Sequence, residues 1–145
     1  MKKLLLTSAI IICAAGFTAA NGGTYTPEYI THLKNCSVHT EKYNAEIPTD
    51  DPNTPVIHLK STETILGWRE GKCLTESKVF SVDMNQDIIS TKCAFSENQL
   101  ESIVKKMETA QKSGKADDKK ELHEEMTKLV QDSSTCQINN LLKTD

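Results

Sequence analysis

The chain is 145 residues long, 26% charged but only 5% aromatic, with a formal net charge of −3. That length suits one domain with a modest core, and the thin aromatic complement leaves room for covalent support. A mildly acidic balance without a basic patch excludes nucleic acid as the expected partner.

Met1-Lys2-Lys3 opens the chain with positive charge, an apolar run follows from Leu4 to Phe17, and Thr18-Ala19-Ala20 closes it with small residues. Charge, apolar run and small-residue exit, in that order, predict a cleaved secretory signal peptide over residues 1–20, with Asn21 as the mature N-terminus. The run of about fourteen residues falls short of the roughly twenty that cross a bilayer comfortably. Ile12 before Cys13 does not suit a lipoprotein signal, and a type IV prepilin would keep its apolar run after the cleavage point. No second apolar run occurs downstream, so no membrane span is expected after cleavage. The expected location is the periplasm or the exterior of a bacterial cell.

Residues 21–145 are then expected to form a single small domain. Removing Lys2 and Lys3 leaves 15 basic against 20 acidic side chains, a charge of −5. Four of the five cysteines remain: Cys36, Cys73, Cys93 and Cys136. An even number in an oxidising compartment predicts a disulfide framework.

Thr26-Pro27-Glu28 reads as a helix start, with Thr at N-cap, Pro at N1 and an acid in the first turn. Tyr29, Ile30, Leu33 and Cys36 follow at helical spacing, so the first helix should run from residue 27 to 36 or slightly beyond. The stretch from Ile47 to Pro55 holds three of the four prolines and predicts a loop. Residues 56–95 carry the strand signal, rich in β-branched side chains. Within them, Trp68-Arg69-Glu70-Gly71-Lys72 predicts a tight hairpin, with Gly71 supplying the positive φ of a type I turn plus bulge. That register sets Trp68 opposite Lys72 and puts Leu66, Trp68 and Leu74 on one face. A further turn is expected near Asp83-Met84-Asn85, leading into a strand in which Ile89, Thr91, Cys93 and Phe95 alternate with polar or small residues.

Ser96 and Gln99 form a capping box that opens a helix with Leu100, Ile103, Val104 and Met107 on one stripe. Gly114 interrupts it, and a second helix carries Leu122, Met126, Leu129 and Val130. Residues 136–142 are expected to add one or two helical turns. The fold class is therefore α+β: an N-terminal helix, a small antiparallel sheet with a central hairpin, then two to three C-terminal helices packed on the sheet. Of the three possible disulfide pairings, this layout favours Cys36–Cys73 with Cys93–Cys136, since each bond then joins a terminal helical element to the sheet. A Cys73–Cys93 bond is disfavoured because the turn would set them about three positions out of register.

The sequence assigns no catalytic residue, cofactor or resident metal. Gly67-Trp68-Arg69-Glu70-Gly71-Lys72-Cys73 resembles a phosphate-binding loop only superficially, with one residue too few between the glycines and Cys in place of a hydroxyl. Asp50 and Asp51 supply too few oxygens for calcium. Glu121 and Glu125 share a face of a charge-dense helix, which reads as solvated surface. Asn35-Cys36-Ser37 formally matches a glycosylation acceptor, but its central cysteine is expected in a disulfide. His32, Cys36 and His39 stand at i, i+4 and i+7 if the first helix reaches residue 39, a spacing that would suit zinc or copper. Oxidation of Cys36 removes one ligand, so only weak metal binding is expected. His58 and His123 show no evident partner. The expectation is an exported, non-enzymatic module that binds an unidentified protein or envelope component. The alternatives are a small envelope hydrolase with a dispersed site and a metal-binding protein using His32, Cys36 and His39.

Overall fold

The computed structural model describes residues 25–142. The expected signal peptide and the mature terminus at Asn21 lie outside these residues. Thr26 caps the first described helix, α1 (Pro27–Asn35), its Oγ1 accepting the Tyr29 N–H at 3.1 Å. Five strands follow the antiparallel order β1 (His39–Pro48), β2 (Val56–Arg69), β3 (Lys72–Ser81), β4 (Gln86–Phe95) and β5 (Cys136–Asn140), each pairing with the next. Helices α2 (Glu97–Ser113) and α3 (Ala116–Gln131) intervene between β4 and β5. The architecture is α+β, with three described helices and a five-stranded antiparallel sheet.

The helices arise where their end signals predict. Ser96 and Gln99 form the reciprocal capping box, and Gly114 ends α2 in the left-handed region at φ 62°. Leu100, Ile103, Val104 and Met107 on α2, with Leu122, Met126 and Val130 on α3, are buried. They pack with Tyr29, Ile30 and Leu33 of α1 over Ile65, Cys73, Cys93 and Phe95 of the sheet. A second, smaller cluster joins Ala45, Leu59, Val79, Ile88 and Ile89. Between the two clusters the inward face turns polar, because the register sets Glu41, Glu63, Ser77 and Thr91 in one row across β1 to β4.

Four expectations are corrected. The first helix ends at Asn35, because Cys36 takes φ 48° and turns the chain back. Residues 39–48, assigned to no strand from the sequence, form β1, an edge strand whose last residue is Pro48; a proline is tolerated there. The central hairpin is a two-residue turn at Glu70 and Gly71, both with positive φ, a geometry that matches the strand twist better than a type I turn. Trp68 therefore faces Cys73 instead of Lys72, and a bulge between Ile65 and Gly67 separates it from Leu66 and Leu74. Finally, Cys136–Asn140 forms strand β5 where helical turns were expected, since Cys136 pairs directly with Cys93.

Disulfides link Cys36 to Cys73 and Cys93 to Cys136. The first ties the end of α1 to β3. The second crosses between β4 and β5, whose Cα atoms at this pair are 4.1 Å apart. Cys73 and Cys93 lie two positions out of register, with Thr75 opposite Cys93. No described helix is long and apolar enough to cross a membrane.

Candidate functional site

Side chains at alternate positions of a strand point to one face, so His39, Glu41 and Tyr43 all project from β1 toward α1. Glu41 is the centre of this group. Its carboxylate accepts hydrogen bonds from Thr26 Oγ1 at 2.7 Å and from the Tyr43 hydroxyl, and lies 3.0 Å from His39 Nε2. Partial burial pushes the Glu41 pKa up, but the hydrogen bonds from Tyr43, Thr26 and His39 outweigh it and hold the group below the usual carboxylate range. Tyr43 is shifted the other way, first by burial and then by the carboxylate it serves.

Directly across the β1–β2 ladder stands Glu63, which is 5% exposed. One of its oxygens accepts from the Ser61 and Ser77 hydroxyls, the latter at 2.7 Å. Burial still dominates and pushes its pKa up to about 7. Two neighbouring carboxyls driven apart in acidity have the form of an acid–base pair. Glu63, however, lines a small cavity of about 30 Å³ together with Tyr25, Tyr29 and Met107. That space is the size of a water or two.

The turn at Cys36 decides the fate of the histidine cluster. Cys36 is 3% exposed and its sulfur is bonded to Cys73, so it is no ligand. By reversing the chain, the same turn brings His39 of β1 back against His32 of α1. Their rings stack with centroids 4.1 Å apart and planes 4° from parallel. Glu28, one helical turn before His32, joins them: one donor atom from each of Glu28, His32 and His39 lies within 4.8 Å of the others. Of the three residues grouped from the sequence, the structure thus brings His32 and His39 together, while Cys36 is withdrawn into a disulfide and Glu28 stands beside them instead. The Glu28–His32 spacing of i, i+4 on a helix is the signal that would have found the replacement.

Other sequence candidates resolve into ordinary structure. Asp51 accepts the Asn53 N–H at 2.9 Å in a local turn, and the glycine pair around Trp68 is the hairpin. Glu121 lies on the α3 surface, 3.9 Å from Lys106 of α2. His58 does have partners, Asp83 at 3.3 Å and Glu46 at 3.9 Å. The His58 backbone N–H also bonds Asp83 and, as the main cause, holds that carboxyl below its ordinary pKa.

A different kind of site surrounds Trp68. Its side chain lies on the helix-covered side of the sheet but beyond the main core, and remains 45% exposed. It borders an open groove whose floor is Leu100 and Val104 of α2. Glu97, Glu101 and Lys105 line the rim, and a Lys34–Glu108 ion pair of 3.5 Å closes one side. The sequence placed Trp68 on the Leu74 face and so missed this groove. Comparison with protein-family models, curated proteins and solved structures finds no match.

Proposed function

We propose that this chain is an exported, non-enzymatic binding module of the bacterial envelope or exterior, and that it engages a protein or envelope component at the Trp68 groove. The observation that carries the reading is the half-exposed tryptophan over an apolar floor with a charged rim. Large rigid aromatics at such positions contribute disproportionately to binding because they bury much area at little entropic cost. Export rests on the signal-peptide pattern of residues 1–20 and agrees with two disulfides. The carboxyl pair Glu41 and Glu63 is better suited to structure than to hydrolysis, since Glu63 faces a cavity the size of a water or two.

Trp68 is the sole tryptophan, so its emission reports directly on the groove. Mature, oxidised protein used as bait in envelope extract should retain a specific partner, and the purified partner should shift Trp68 emission. Trp68→Ala should weaken that interaction by at least about tenfold. Retention of the same partner with unchanged affinity by Trp68→Ala would reject the groove as the binding surface.

A further inference from the structure

We propose that Glu28, His32 and His39 form a binding site for a divalent transition-metal ion, with zinc or copper as the fitting class. Two imidazoles and one carboxylate make a donor set of the kind that holds these ions, leaving a fourth position for water or an external ligand. Calcium and magnesium prefer all-oxygen surroundings and are disfavoured here.

The hydrogen bonds around the two histidines determine which nitrogens are free to ligate. His39 Nε2 lies 3.0 Å from Glu41, an acceptor when ionised, so Nε2 carries the proton and Nδ1 keeps its lone pair. His32 Nδ1 lies 2.8 Å from Ser37 Oγ. That hydroxyl donates its own hydrogen to the His32 carbonyl oxygen at 3.3 Å, so it accepts from Nδ1–H. His32 Nε2 is then the free lone pair. Both rings have their non-ligating nitrogen tied to an oxygen partner, the outer arrangement that metal-binding histidines generally show.

The backbone around the cluster is clamped on both sides. The Cys36–Cys73 disulfide holds the turn between His32 and His39, and the Thr26–Glu41 hydrogen bond fastens the start of α1 to β1. Ligation requires the side chains alone to adjust. One donor atom of each residue, either ring nitrogen for a histidine, lies within 4.8 Å of the others, and the ligating atoms must come to roughly 3.3 Å, the separation that two metal–nitrogen bonds of about 2.0 Å at tetrahedral angles impose. The parallel rings must also splay so that their lone pairs converge. Glu28 is exposed and both histidines are partly exposed, so the movement meets no packed core.

The test uses tag-free, oxidised mature protein titrated calorimetrically with zinc chloride. One ion per chain should bind, and the melting temperature should rise with zinc concentration because the folded state alone presents the site. His32→Ala and His39→Ala should each abolish the heat. Glu28→Gln should weaken binding at least tenfold, and Ser37→Ala by about tenfold through the His32 tautomer. Long-range nitrogen NMR of the wild type should show zinc perturbing His32 Nε2 and His39 Nδ1, a readout that needs no variant to fold. Absence of zinc binding at millimolar concentration would overturn the proposal. So would binding that survives both histidine substitutions, or perturbation of His58 or His123 in place of His32 and His39.

Discussion

Replacing Glu63 by Gln takes an ionisable group out of the sheet interior while keeping its shape. The amide oxygen can still accept from Ser61 and Ser77, so the hydrogen bonds of the wild type are preserved in kind. The carboxyl is raised from an ordinary value of 4.5 to about 7 by burial. The folded state therefore holds a proton that the unfolded chain has already released between those two pH values. For a group shifted in this direction, the favourable contribution is complete below pH 4.5 and is lost as pH rises through about 7. At about 1.4 kcal/mol per unit, the loss is on the order of 3 kcal/mol. That is a substantial part of the net stability of a small domain. Urea unfolding of oxidised wild type and Glu63→Gln at pH 4, 6 and 8 measures it. The stability difference should grow in favour of the variant across this range and level off above it. Groups that titrate identically in both proteins cancel in the difference. A difference that stays constant from pH 4 to 8, or that turns toward the wild type as pH rises, would refute the reasoning.

Reduction of the disulfides should be severe, since loops of 37 and 43 residues correspond to about 4 kcal/mol each in the chain-entropy account. Thermal melts with and without reductant, with peptide mapping of the unreduced protein, check both the loss and the pairing. In the central hairpin, Glu70 holds a positive φ of 52°, a conformation that asparagine adopts more readily. Glu70→Asn should therefore stabilise the domain by about 0.5–1 kcal/mol, read as a higher urea midpoint at unchanged slope.

What the sequence disclosed followed the strength of its local signals. The capping box at Ser96 and Gln99 and the Thr26-Pro27 start are short, self-contained patterns, and the helices begin where they lie. β1 escaped because two of its inward positions are His39 and Glu41, which blunt the alternation that Tyr43, Ala45 and Ile47 otherwise show. β5 escaped because Gln137, Asn139 and Asn140 have little strand preference; its pairing comes from Cys136 lying opposite Cys93. The histidine cluster was visible as residue types but not as geometry. Nothing local announces that Cys36, a non-glycine residue, takes the left-handed conformation that turns His39 back onto His32. Glu63 was unreadable for a related reason, since its unusual acidity depends on burial that only the assembled sheet creates.

The two disulfide loops, 36–73 and 93–136, neither overlap nor nest. Among the described residues each cysteine is joined to its immediate neighbour in chain order, Cys36 to Cys73 and Cys93 to Cys136. On the proposed export, with residues 1–20 removed, Cys73 would emerge with Cys36 as the one open thiol ahead of it, and Cys136 with Cys93 once the first bond has closed. Oxidation in that order would reach the Cys36–Cys73 and Cys93–Cys136 connectivity with no bond to be broken and remade.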